Sequence, residues 1–350
     1  MAKSVHLPEE VIEVILSKSP IKSVVRFKSV SKSWESIISN PRFSRIHRLQ
    51  RSKASENQNM FIMWAKPIYQ EMGGSHVYVI KLQDGKFITK SVFYYPYPRA
   101  FPMCYCNGIF ILITEPIDHD YMLLNVAIHK HIVIRGPLMP GRPKKFHFYH
   151  DSTDDDYKFV LVSLKYYTVY SCRNSSWGEM KDLPCDVTPL LHGASVDECF
   201  YGLCGDEVVC FNARDGKLDK FRQPKDVIGK VELTELSGRL CLHSLVDRRK
   251  LHLWLMEKKE KNGRFEKCWR KLISMEKEEG EMWLFRPVCL INEDDVVLRL
   301  KVGWNLGGSK RFVYKIREKR FEEVEFNWKC ITPTYPYSEN LYLPSSNILE

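Results

Sequence analysis

The chain holds 350 residues, 44% hydrophobic and 27% charged, with eighteen Gly and eighteen Pro. That is globular composition with room for one large domain and a small one, and it excludes collagen-like and disordered chains. The net charge of +10 is uneven: residues 1–55 hold eleven Lys/Arg and four Glu, so +7 lies there and only 42 − 39 = +3 in the other 295 residues, which favours an acidic partner for the first segment and argues against nucleic-acid binding by the rest.

The first fifty residues read as a set of short helices. Pro8 opens the first, Glu9 and Glu10 suit the positive end of its dipole, and Val11, Ile12, Ile15 and Leu16 form one face. In "SPIKSVVRF", Ser19 is placed to cap a second helix that Pro20 opens, with Ile21, Val24, Val25 and Phe27 as its apolar positions. Ser31 can cap a third helix through Ile38, and Asn40-Pro41 stops it and starts a short fourth. Within "FKSVSKSWESII", Phe27, Val30, Trp34, Ile37 and Ile38 recur at i, i+3, i+7, i+10 and i+11, one stripe of helical surface with only Ser, Lys and Glu between. So small a unit cannot bury both a core and this stripe. Each exposed Val, Ile, Leu or Phe forgoes roughly 1.5–3 kcal/mol of burial, and together they exceed the apolar patch a monomer tolerates. A permanent partner is predicted. "RLQRSKASENQN" (48–59) is polar and aperiodic and reads as a linker, giving a division of 1–47, 48–59 and 60–350.

From Met60 the pattern changes to short alternating apolar runs broken by turn residues. Paired apolar positions recur at Val79, Leu123, Val169, Val209, Trp254 and Val313, spaced by 44, 46, 40, 45 and 59 residues. Turns such as "QDGK", "RNSS" and "ARDGK" follow them. An anchor then comes eight or nine residues on (Phe87, Ile132, Trp177, Leu218, Phe321), or fifteen on at Trp269, where "KKEKNGRFEK" is inserted. Repeats of short strands at this period are the pattern of propeller blades. The predicted fold class is α+β multidomain: a small all-α unit followed by an all-β domain, a six-bladed β-propeller-like fold, with a β-sandwich of hairpins as the alternative. A propeller must pair its ends. The strand around Val77–Leu82, or the chain just before it, is then expected beside Phe312–Phe326 or the tail at Leu341–Leu343.

The segment Leu7–Phe43 resembles an F-box of the form plant proteins use. Leu7-Pro8, Ile15-Leu16, Pro20-Ile21-Lys22-Ser23, Arg26-Phe27, Val30, Lys32, Trp34, Ile38 and Pro41-x-Phe43 stand where that motif has them. It departs at Ser19, where the motif has Leu, and at Val14, where it has an acid that here sits one place earlier as Glu13. The remainder resembles the plant F-box-associated interaction domain of S-locus F-box and F-box–kelch-like proteins. "CNG" (106–108), "DDDYKFVLV" (154–162), "VYSCRNSSWGEM" (169–180), "LSGRLCL" (236–242), "LHLWLMEK" (251–258), "CWRKL" (268–272), "FVYKIREKRFEEVEF" (312–326) and "YPYSENLYL" (335–343) occur in the family's order. Its "NPATR"-like turn is degraded to "LNVAIHK" (124–130).

The resemblance implies that the F-box docks on a Skp-type adaptor, which joins a cullin and a RING subunit into an SCF ubiquitin ligase, while the β domain holds the target protein. The implied adaptor-contact residues are Leu7, Pro8, Val11, Ile12, Ile15, Leu16, Pro20, Ile21, Lys22, Val24, Val25, Phe27, Val30, Trp34 and Ile38. Some of these are expected to be internal core instead. An acidic adaptor suits the +7 here, with Lys22, Arg26, Lys28 and Lys32 as candidate contacts. The target and its contact residues are not legible, because they sit in loops. Alternatives are an adaptor-bound protein acting outside the ligase, or a propeller enzyme or lectin.

No HExxH, GxSxG or phosphate-cradling Gly loop occurs, so no catalytic residue and no cofactor are expected. His147, His150 and Asp151 in "HFYHDSTDDD" have ligand-like spacing, but the resemblance implies a turn before a strand at this place, and no metal site is expected. Trp177, Trp254 and Trp269 read as packing between sheets. Eleven Cys without C-x-x-C, and one C-x-C at Cys104 and Cys106, fit reduced thiols of the cytoplasm or nucleus. In that compartment the acceptor-like Asn174-Ser175-Ser176 has no meaning. No apolar run reaches membrane-helix length, and the first ten residues lack a signal-peptide core.

Overall fold

A computed structural model describes residues 7–53, 59–65, 74–95, 100–114, 120–184, 188–247, 249–261, 264–276, 285–291, 295–301, 309–324 and 334–342. Four helices come first: α1 Glu9–Lys18, α2 Ile21–Phe27, α3 Lys32–Ser39 and α4 Pro41–Lys53. The fourth is longer than the sequence pattern suggests. It runs through the first residues of the stretch read as a linker, because Arg51 has a buried place to go.

The rest forms six sheets of short antiparallel strands. Blade 1, taken from the inner strand outward, is Thr334–Pro336, Met60–Ala65, Ser75–Gln83 and Lys86–Tyr95. Blade 2 is Ala100–Cys106, Ile109–Thr114, Tyr121–Asn125 and Lys130–Ile134. Blade 3 is Lys145–Asp151, Asp156–Val162, Tyr166–Ser171 and Ser176–Trp177, with Lys181–Asp182 added on the third strand. Blade 4 is Ala194–Val196, Cys199–Cys204, Glu207–Asn212 and Leu218–Arg222. Blade 5 is Lys230–Leu236, Arg239–Val246, Lys250–Lys261 and Arg264–Glu276. Blade 6 is Phe285–Ile291, Asp295–Lys301, Ser309–Lys315 and Arg320–Val324. The six repeat positions all fall on third strands and the six anchors all on fourth strands.

There is no single core but one between each pair of neighbouring blades. Blades 1 and 2 share Trp64, Val77, Phe110 and Leu124; blades 2 and 3 share Ile111, Leu123, Phe148 and Phe159. Blades 3 and 4 share Val160, Tyr167, Phe200 and Phe211; blades 4 and 5 share Tyr201, Val208, Leu242 and Trp254. Blades 5 and 6 share Leu253, Met275, Val296 and Phe312, and blades 6 and 1 close the ring through Val297, Val313, Phe61 and Ile80. Two packed sheets would make one continuous core, so the sandwich is excluded. Second strands are covered on both faces by neighbouring blades, which is why "IFIL" and "FVLV" read as unbroken apolar runs: Ile109–Leu112 and Phe159–Val162 are all buried.

Trp177 and Trp269 latch blades together from equivalent places on fourth strands. Trp177 Nε1 donates to the Arg135 carbonyl of blade 2 at 2.7 Å, and Trp269 Nε1 donates to Arg222 of blade 4 at 2.9 Å. Ring closure comes from Thr334–Pro336, which pairs with the chain just before Val77 in the register Phe61 to Pro336 and Met63 to Thr334. Leu341 and Tyr342, expected at that seam, lie elsewhere: against the helices, and against blades 2 and 3.

His243 is buried in blade 5, and burial holds its pKa down at about 4, against the pull of Glu232 at 3.8 Å. His147 is held at about 4 for the same reason, with its Nε2 2.5 Å from the Asp197 carbonyl. In the unfolded chain both return to the ordinary 6.5. Their contribution is therefore intact above that value and is lost as pH falls from it toward the folded value. Between about pH 7 and pH 5 the loss is expected to be roughly 2 kcal/mol per histidine. Urea midpoints across that range test it: His243→Gln should flatten the slope, and an unchanged slope counts against the buried neutral histidine.

Candidate protein-docking surface

The helical unit has a core of Leu16, Val24, Ile38 and Phe43, all buried. Ile12, Phe27, Trp34 and Ile37 pack partly against it, Phe27 and Trp34 edge to face at 5.4 Å. Ser31 caps α3 as expected, accepting from the Trp34 amide at 3.1 Å. Ser19 does not cap α2. Its hydroxyl donates back to the Ile15 carbonyl at 3.0 Å and so closes α1. The backbones of Pro8 and Pro20 are extended, one residue before their helices begin.

The fifteen implied contact residues divide cleanly. Leu16, Ile21, Val24 and Ile38 are buried in the helical unit, as helix-facing positions of so small a unit must be. Ile12, Phe27 and Trp34 are half-buried in the same core. Leu7, Pro8, Val11, Ile15, Pro20, Lys22, Val25 and Val30 are exposed. The stripe from Phe27 to Ile38 is not one surface, because α2 ends at Phe27 and α3 starts at Lys32; within it, of the larger apolar residues, only Val30, at 59%, faces solvent. The sequence pattern missed Val14, 52% exposed and beside Val11 and Ile15 on α1. Its departure from the motif's acid extends the apolar face.

The basic charge is divided too. Lys22, Arg26, Lys28 and Lys32 are exposed, but α4 turns its own cations toward the propeller. Arg45 lies 3.9 Å from Asp155, and Arg51 lies 3.5 Å from Glu339 while donating to the Lys18 carbonyl at 3.4 Å. His47, buried beside them, has its Nε2 2.8 Å from the Ser19 carbonyl, and burial lowers its pKa.

What seats the helices is the segment 337–342, and its hub is the buried Asn340. Its Nδ2 donates to the Asn107 carbonyl at 2.8 Å and to the Tyr157 hydroxyl at 2.7 Å. Its Oδ1 accepts from Ser44 Oγ of α4 at 3.3 Å and from the Tyr342 amide at 2.8 Å. Asn125 Nδ2 donates to the carbonyls of Asn340 and Tyr342 at 2.8 and 2.7 Å. Leu341 then packs on the helical core. Gly108, at φ +83, explains "CNG": a Cβ there would sit 2.2 Å from the Ser338 carbonyl.

The ligand-like trio in blade 3 does not converge. His147 meets the Asp197 carbonyl, His150 lies 3.2 Å from Asp155, and Asp151 pairs with Arg214 at 2.5 Å. Among the described residues no group of three His, Cys, Asp or Glu could hold a metal, and no helix is long and apolar enough to cross a membrane.

Residues 5–46 match the F-box domain family. The chain is 27% identical over 296 residues to the F-box protein At1g47340 of Arabidopsis thaliana, covering 74% of this chain and 62% of that protein. It is 27% identical to the F-box/kelch-repeat protein At3g23880 of the same plant (52% and 53% covered) and 23% identical to its F-box protein At2g21930 (73% and 69%). TolB from Acinetobacter baumannii overlays with a TM-score of 0.47 at 10% identity, covering 85% of this chain and 73% of that one. The N-terminal helical unit matches the F-box domain family, a six-bladed propeller follows it, and the relatives to which the chain is similar are F-box proteins of Arabidopsis thaliana.

Proposed function

We propose that the chain is the substrate-recognition subunit of an SCF-type ubiquitin ligase. Its helices hold a Skp-type adaptor, with cullin and RING subunit joined through it, and its propeller holds the protein to be ubiquitinated. The observation that carries this is the F-box match over residues 5–46 on a unit whose α1 shows Val11, Val14 and Ile15 to solvent. Leu7, Val25 and Val30 add to the exposed apolar surface. A face of this kind on so small a unit is stabilised by a partner that covers it. The chain then needs no catalytic group: holding a target beside a charged conjugating enzyme raises its effective concentration. The cytoplasm or nucleus is the compartment in which such a ligase and reduced cysteines both belong.

Replacing Val11 and Val14 together by Asp is expected to weaken adaptor binding by about thirtyfold or more, since two exposed anchors lose burial and gain charge. Calorimetry with a purified Skp-type adaptor reads the affinity, and the thermal midpoint should hardly move because neither side chain is in the core. Unchanged affinity would sink the assignment of this face. Adaptor binding without recovery of cullin would favour a role outside the ligase.

A further inference from the structure

Between the outer strands of blades 1 and 2 lies a groove of about 230 Å³. Val77, Leu124 and Val126 line it, with Phe93 and Tyr95 on the blade 1 side and His129 and His131 on the blade 2 side. The walls are fixed. Phe93 and His129 meet edge to face at 4.1 Å, and the Tyr95 hydroxyl donates to the Met122 sulfur. Val133, 59% exposed, stands two residues beyond His131 on the outer strand of blade 2. The volume falls below that of ordinary small-molecule sites, so it takes large side chains rather than a cofactor.

Charge names the occupant. The outer strands Lys86–Tyr95 and Lys130–Ile134 carry Lys86, Lys90 and Lys130 and no Asp or Glu. Lys90 and Lys130 are exposed on the outer strands, and Lys22 of α2 is near enough to help lower the pKa of His129 after burial does so. Three lysines on two strands are too sparse a cationic surface to track a phosphate backbone, which disfavours nucleic acid. A peptide with carboxylates around an apolar anchor satisfies both features.

We infer that this interblade groove is the docking site for an acidic segment of the target protein, which seats an aromatic or branched aliphatic side chain among the accessible lining residues Phe93, Tyr94, His129 and His131. That the segment belongs to a target rests on the function proposed above; that the groove binds it does not.

Short random peptides displayed on phage and selected on the full chain test it, with the selected peptides remade with a fluorescent label. They are expected to be net negative and to carry an aromatic or branched residue. Lys90→Glu with Lys130→Glu, and separately Val133→Ser, should each weaken them about tenfold or more, while Lys90→Arg with Lys130→Arg keeps binding. All three variants should melt like the unsubstituted chain, because the replaced side chains are exposed. Peptides without a charge bias, or peptides indifferent to these variants, overturn the proposal. So does displacement by the Skp-type adaptor, which would give the groove to the adaptor contact, or tighter binding of a single-stranded RNA that the same variants abolish. Adaptor affinity of the unsubstituted chain is measured in parallel; its failure would end the ligase reading and leave the peptide result standing.

Discussion

Deleting everything after Lys329 is expected to convert the β domain into an aggregating species. The deletion removes Thr334–Pro336 and so uncovers the backbone edge of Met60–Ala65 along the register Phe61 to Pro336. An unpaired apolar edge strand is a template for other chains. It also removes Tyr335, which packs on Tyr105 and Phe110 at 5.3 Å each, and Tyr342, which packs on Tyr157 at 4.6 Å. Gel filtration should show material in the void volume or no soluble protein. A monodisperse monomer that melts at the original temperature would refute ring closure by this strand.

Asn340→Ala is expected to cost about 3 kcal/mol, a large value for a polar residue. The side chain serves two donors and two acceptors, and truncation leaves the Asn107 carbonyl, the Tyr157 hydroxyl, Ser44 Oγ and the Tyr342 amide without it. Each buried group left unpaired costs roughly 1–3 kcal/mol, less what water recovers. Denaturant unfolding of the full chain measures it. Because Ser44 and Leu341 tie the helices to this hub, adaptor affinity should fall as well. A loss within about 0.5 kcal/mol, the size of an ordinary surface change, would show that Asn340 does not hold the two parts together.

Local pattern carried some of this structure and not the rest. Asp84-Gly85, Asn107-Gly108 and Ser237-Gly238 have positive φ at both residues, the backbone that tight hairpins require, so their turns are visible in sequence. Asp84-Gly85 joins a third strand to a fourth, and the other two join first strands to second strands. Other inner strands left less pattern: Ala194–Val196 has three residues, and Lys145–Asp151 mixes Lys145, His147 and His150 into its apolar run. In the helical unit, spacing could find an apolar face but not say which of its members would be covered. Leu16 and Ile15 are adjacent and meet opposite fates, one fully buried and one half exposed. The hub at Asn340 left no local mark, since its partner Ser44 lies 296 positions away. Cation spacing likewise could not show that Arg45 and Arg51 answer carboxylates of the same chain.

Closure by Thr334–Pro336 also sets an order of events during synthesis. At roughly 5–20 residues per second, a ribosome needs on the order of 15–60 s to go from α4 to the strand that completes blade 1. Through that interval Met60–Ala65 has one neighbour instead of two, and the helices lack Leu341. A nascent or prematurely terminated chain therefore offers a helical unit without its seat and a propeller without its seam. Only a chain translated past Leu341 seats the helices on a closed ring, and molecules that stop before it are expected to be chaperone clients.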